Sequence, residues 1–255
     1  MSDSAPAILD PAGGQPLTLD AALDLLARGE IEMKGLLPYS SNYTFLVVVR
    51  RGEAQAAAVY KPCRGERPLW DFPEGTLANR EVAAHAVSQA LDWMIVPPTV
   101  LRDGPHGPGM AQVYVHNDPD EHYFTFGKRF SNQLKKIALF DALVNNADRK
   151  SGHCLLDGNG YVWAIDHGIC FHEEPKLRTV IWEFAGQPIP AGLLRDVRAF
   201  RKRLSDHSDG VTKSLADLLS REEMAALRER AHQLVARSRF PIPSRYERHI
   251  PWPPV

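Results

Sequence analysis

Two aspartates stand where apolar runs end, and that limits the folds open to this chain. The polar segment NNADRKSGH (residues 145–153) is framed by LFDALV before it and CLL after it, and AIDHGICF follows shortly downstream. Asn, Asp, Arg and Lys are poor core residues, whereas both flanks are apolar enough to be buried. The fold must therefore bury a helix and a strand while holding Asp148, His153 and Asp166 at their mouths.

The periodicity around this segment predicts mixed α and β structure. TLDAALDLLARGEIE reads as a short amphipathic helix capped by Thr18, with Leu23, Leu26 and Ala27 on one stripe. NYTFLVVV and AAAVYK are rich in aromatic, β-branched and small apolar residues and read as two antiparallel strands, joined at RRGEAQ and stopped by Pro62. TLANREVAAHAVSQALDW predicts a long helix, and IVPPTVLRD and GMAQVYVHN two further strands. SNQLKKIALFDALVNN is helical, and HCLLDGNGYVWAID is a hairpin turning at DGNG. Two helical stretches follow, near AGLLRDVRAFRKRLSD and SREEMAALRERAHQLVARSR, then a Pro-rich tail suited to an extended strap.

Composition excludes several classes. A formal net charge of −1 supplies no global positive field for nucleic acid or an anionic membrane. Three cysteines without a C-x-x-C pair argue against a disulfide scaffold or a cysteine zinc site and point to a reducing cytoplasm. TFLVVV is far too short to span a bilayer, and MSDSAPAILDPAGG lacks the basic and apolar regions of a signal peptide. Residues 1–16 are expected to be a flexible leader. Cys154 and Cys170 read as small packing residues, and Trp70, Trp93 and Trp163 as core anchors.

The remaining polar residues form an ordered set. Lys61 ends a strand, Glu81 sits early in the long helix, Asp148 and His153 lie between helix and strand, and Asp166 ends a hairpin strand. Phosphoryl transfer from a nucleotide needs such parts: a cation on the phosphates, an anion orienting it, an acid near the attacking hydroxyl and ligands for a divalent metal.

With these motifs in order, the stretch from about Leu36 to about Pro175 resembles the phosphatidylinositol 3-/4-kinase-like branch of the protein-kinase fold, in particular type II phosphatidylinositol 4-kinases and small bacterial relatives. PYSSNYTFLV is similar to that family's serine-rich phosphate loop, AVYKP to its lysine strand, REVAAHAVSQAL to its glutamate helix, NNADRKSGHCLL to its catalytic loop and AIDHGICF to its metal-binding D-x-G. The resemblance implies a two-lobed α+β protein-kinase-like fold, with residues 17–115 as the small lobe and 116–255 as the larger one. It implies ATP and Mg²⁺ or Mn²⁺ as cofactors. Ser41, Asn42, Lys61 and Glu81 would bind ATP, with an adenine hinge at Gln112, Val113 and Val115. Asp148 and Lys150 would be catalytic, and Asp166 and His153 would hold the metal.

Two positions depart from the family. Lys150 stands where the lipid kinases carry His, which is the protein-kinase pattern. His153 stands where Asn is usual, and imidazole suits Mn²⁺ or another transition ion better than Mg²⁺. His153 either binds metal or hydrogen-bonds Asp166 or Asp148, and Arg149 either orients the loop or pairs with an acid. The expected activity is transfer of the γ-phosphate of ATP to a hydroxyl, of a protein or small molecule ahead of a phosphoinositide. A nucleotide-binding pseudokinase and an AMP transferase are the alternatives. No nucleic-acid partner and no transmembrane segment are expected.

Overall fold

The computed structural model describes residues 17–37, 43–244, 246 and 248–255. Helix α1 (Leu19–Arg28) begins at Thr18, whose Oγ1 accepts the Ala21 N–H at 3.2 Å. Its buried residues are Ala22, Leu25 and Leu26. The stripe therefore lies beside the expected one, and Ala27 is exposed.

The helix expected to continue through GEIE ends instead at Gly29, and Glu30–Leu36 forms strand β1. Alternation explains the switch: Ile31 and Met33 pack against the apolar cluster under α1 while Glu30 and Glu32 face solvent. The two expected strands, β2 (Phe45–Arg51) and β3 (Ala54–Pro62), are thus the interior of a larger sheet. With β4 (Thr99–Gly104) and β5 (Gly107–Val113) it has five strands in the order β1-β2-β3-β5-β4, all antiparallel. One face carries Val47, Val49, Ala56, Ala58, Tyr60, Ala111 and Val113 and packs on α1.

Helix α2 (Leu77–Ala90) is buried more widely than its apolar stripe predicts, because Arg80, Glu81, His85 and Ser88 are also buried. Its first N–H groups need acceptors, and the Glu66 carboxylate takes those of Leu77 and Ala78 at 3.3 and 3.1 Å. Arg80 joins the helix to the rest of the molecule through the Cys170 carbonyl at 3.1 Å and an ion pair with Glu223.

After the one-turn helix α3 (Tyr123–Phe126), helix α4 (Ser131–Val144) runs through the second apolar cluster. Ile137, Leu139, Phe140, Leu143 and Val144 have no solvent exposure, each worth about 1.5–3 kcal/mol of burial. The expected hairpin is present as β6 (Cys154–Leu156) and β7 (Val162–Ala164). The two expected C-terminal helices are three: α5 (Ala191–Leu204), α6 (Gly210–Leu218) and α7 (Arg221–Arg237). Asp209 caps α6 through the Val211 N–H, and Ser220 with Glu223 forms a capping box on α7. Trp93 and Trp163 are buried as expected, but Trp70 is 92% exposed in the Pro-rich loop before α2, with Lys176 over its ring. Among the described residues, no helix is long and apolar enough to cross a membrane.

Candidate active site

Strand alternation puts Tyr60 in the cluster under α1 and Lys61 on the opposite face of the sheet. Gly109 opposes Pro62 in β5; a Cβ there would sit 2.3 Å from the Lys61 carbonyl oxygen, so the close approach requires glycine. Lys61 Nζ donates to Glu81 Oε1 at 2.8 Å and to Asp166 Oδ1 at 2.9 Å. Burial opposes the charge on Lys61, but the carboxylates of Asp166 and Glu81 outweigh it and raise its pKa.

Asp166 adopts φ +62°, a left-handed conformation that aspartate tolerates better than most residues. Its two flanking peptides are clamped. Arg149 Nη1 donates to the Ile165 carbonyl at 2.7 Å, and the His167 N–H donates to Glu81 Oε2 at 2.9 Å. Glu81 therefore holds Lys61 with one oxygen and the backbone beyond Asp166 with the other. Arg149 Nη2 also donates to His167 Nε2 at 2.7 Å. The guanidinium is always charged, so Nε2 must accept and Nδ1 must carry the proton.

Helix α4 ends with Asn145 in the left-handed region, and two asparagines then shape the 145–153 loop. Asn145 Nδ2 donates to the carbonyls of His172 and Glu174, and its Oδ1 accepts the Lys176 N–H. Asn146 Oδ1 accepts the Asp148 N–H at 2.9 Å, while its Nδ2 donates to Asp141. Beneath the loop, Arg149 is fully buried against Asp141 and also donates to the His153 carbonyl at 3.1 Å. The loop's acid is thereby held rigidly.

Burial pushes the Asp148 carboxyl up to about 6, partly offset by Lys150, whose Nζ lies 3.3 Å from Asp148 Oδ2. Burial also raises Asp166, but the charge of Lys61 outweighs it and holds the carboxyl far below the usual range. His153 is pushed down to about 4 by burial and is neutral at pH 7. Its Nδ1 lies 3.0 Å from the Asp148 carbonyl oxygen, which needs the proton on Nδ1, and 3.5 Å from the Lys150 backbone nitrogen, which needs it on Nε2. Nε2 faces Asp166 Oδ2 at 3.2 Å. With the proton on Nδ1, Nε2 and Asp166 Oδ2 are two acceptors that a divalent ion would join; with it on Nε2, they form a hydrogen bond. The described residues contain no cluster of three or more such ligands, so other donors would complete the shell. One carboxylate and one imidazole suit Mn²⁺ better than Mg²⁺.

The fold thus brings together Lys61, Glu81, Asp148 and Asp166, which line one small cavity of about 50 Å³, with Lys150 and His153 alongside. Val113 and Val115 line a separate cavity of about 510 Å³ at the linker after β5, next to Pro98 and Trp163. Gln112 is not brought to either cavity; its Nε2 donates to Thr99 Oγ1 at 2.8 Å inside the sheet. Ser41 and Asn42 lie outside the described residues. Sequence reasoning missed Asp141, Asn146, Glu66 and His167. A lone carboxylate inside the apolar run IALFDALV was the available signal, since a buried acid must be paired.

A phosphatidylinositol 3- and 4-kinase family model matches residues 88–219, which is more than half of the chain. The chain belongs to this family. A Mycobacterium tuberculosis protein, Rv2133c, is 38% identical over 265 residues, spanning 90% of this chain and 94% of the relative. Solved structures share the fold at low identity. The structure of hydra Fam20 with sugar matches at TM-score 0.56 and 15% identity over 86% of this chain and 88% of that one. The Golgi casein kinase with Mn/ADP bound matches at 0.55 and 14%, over 86% and 75%. The Helicobacter pylori proinflammatory kinase CtkA matches at 0.51 and 11%, over 84% and 94%. This family member therefore has a kinase-like α+β fold, which supports a kinase-type phosphotransferase.

Proposed function

We propose that this protein transfers the γ-phosphoryl group of ATP to a hydroxyl of a protein or small molecule. The observation that carries the reading is the convergence of Lys61, Glu81 and Asp166 beside Asp148, drawn from four separate elements. The linker near Val115 would divide a small lobe from a larger one and take the base. Lys61 would hold the α- and β-phosphates, oriented by Glu81, with Ser41 and Asn42 as further phosphate-binding residues.

Asp166 and His153 would hold the divalent ion, which when bound neutralises phosphate charge. Asp148 would accept a hydrogen bond from the acceptor hydroxyl and align it with the γ-phosphorus. As the new O–P bond forms, the bond to the β,γ-bridging oxygen breaks, ADP leaves and the hydroxyl proton passes to Asp148. Lys150 would neutralise charge on the moving group, as its contact with Asp148 allows. Lys150 favours protein-kinase-like chemistry, hence a soluble acceptor over a lipid.

Intact mass after incubation with ATP and Mn²⁺ tests the transfer on candidate protein acceptors and on the chain itself. Phosphorylation adds about 80 Da per group, and transfer of AMP about 329 Da. ADP production with no mass gain points to a small-molecule acceptor or water. Nucleotide binding without turnover in any form would reduce the protein to a pseudokinase and refute the transferase reading.

A further inference from the structure

Residues of the segment after Asp166 and of the C-terminal stretch, among them Pro175, Pro241 and Pro243, line a further cavity of about 390 Å³. Lys176, Arg178 and Trp182 line one wall, and Ser244, Arg248 and His249 the other. No carboxylate lines it among the described residues. Lys176 is already neutralised by Asp71 and Glu174, at 3.0 and 3.6 Å. Arg178 is different: its Nε is buried and has no hydrogen-bond partner among the described residues. Arg248 also lines the cavity, and its Nε donates to the Ile250 carbonyl at 3.0 Å. A buried guanidinium N–H without an acceptor is costly, and an anion supplies the missing one.

The walls of this cavity are bonded to the 145–153 loop. The Arg149 N–H donates to the Arg178 carbonyl at 3.0 Å and the Ser151 N–H to the Pro254 carbonyl at 2.9 Å. The Thr179 N–H donates to the His249 carbonyl at 3.0 Å, joining the two walls. We infer that this cavity binds a phosphate group carried by the acceptor, on Arg178 and Arg248, beside the hydroxyl that Asp148 addresses. The acceptor role rests on the phosphotransferase reading; the phosphate site does not. Two guanidinium groups match a phosphate monoester through paired N–H donors. A soluble acceptor is favoured over an anionic membrane, because Glu173 and Glu174 are exposed just before the cavity wall.

The test is calorimetric titration of the full chain with O-phosphoserine and with inorganic phosphate, alongside vesicles of phosphatidylcholine with phosphatidylserine. Arg178→Gln and Arg248→Gln are each expected to weaken phosphoserine binding roughly tenfold. Lys61→Ala is expected to leave it unchanged. Arg248 is exposed at the surface, so its variant keeps the test valid if Arg178→Gln does not fold. Binding lost in Lys61→Ala but retained in both arginine variants would put the phosphate in the nucleotide cleft and overturn the inference. Binding to vesicles alone, or none at all, would overturn it too. Turnover is not the readout, so an inactive kinase and an absent phosphate site give different results.

Discussion

Arg149 and Asp141 form an ion pair in which neither side chain has any solvent exposure, with Nη2 3.0 Å from Oδ1. Arg149 spends its other donors on the His153 and Ile165 carbonyls and on His167 Nε2. One residue thus fixes the loop that carries Asp148 and the peptide that precedes Asp166. Asp141→Ala leaves that guanidinium buried and unpaired, and is expected to cost about 3–5 kcal/mol of stability. Urea unfolding measures it. A loss below about 1 kcal/mol would mean that the pair does not hold the loop. Arg149→Lys should not rescue the fold, because an ammonium cannot reach all of these acceptors.

Glu81 joins Lys61 to the His167 backbone, so its neutral isostere separates orientation from charge. Glu81→Gln is expected to lower phosphotransfer about 100-fold or more with a smaller change in nucleotide affinity. Steady-state kinetics on the purified variant reads the split. A change confined to KM would assign Glu81 to ground-state binding alone.

His85 gives a pH signature away from the site. It is buried in α2, and burial holds its pKa at about 4 against the ordinary 6.5. Between these values the unfolded chain binds more protons than the folded one. Stability is therefore full above pH 6.5 and falls as the pH drops toward 4, by up to about 3 kcal/mol from this group. His85→Gln should flatten that limb in urea midpoints measured from pH 4.5 to 7. An unchanged slope would show that His85 charges freely in the fold.

The tail reaches the loop through the Pro254 carbonyl and reaches the segment after Asp166 through the His249 carbonyl, which also accepts from Trp182 Nε1 at 2.9 Å. Truncation after Pro241 removes these acceptors but leaves Phe240, the last member of the large apolar cluster. Activity is expected to fall at least about tenfold, while each lost hydrogen bond costs stability only about 1 kcal/mol. Thermal melting with a turnover assay checks both. Full activity in the truncated chain would remove the tail from the account.

The meeting of Asp148 with Asp166 was legible because a hairpin of a few residues must return close to its start, and Lys61 and Glu81 followed from their order along the chain. The supports were less legible. Asp141 stands as a lone carboxylate in the apolar run IALFDALV, but its partner Arg149 is set only by how α4 packs under the loop. Strand β1 was hidden because GEIE continues a charged helical rhythm, and Gly29 ends it against the sheet. Trp70 was placed in the core on residue type alone, whereas its Pro-rich loop keeps it outside. Gln112 faces Thr99 in the hairpin of β4 and β5; the two strands and their GPHGPG turn were legible, but the register that pairs Gln112 with Thr99 was not.

The central claim is that the Lys61–Glu81–Asp166 cluster beside Asp148 performs phosphoryl transfer. Following the γ-phosphate of ATP by ³¹P NMR in the presence of Mn²⁺ tests it most directly, with Asp148→Ala and Asp166→Ala as paired variants. The account predicts loss of the γ-phosphate signal with the wild-type chain and at least about a 100-fold slower loss with either variant. Turnover that persists in both variants, or none in the wild-type chain with Mn²⁺ or Mg²⁺, would contradict it.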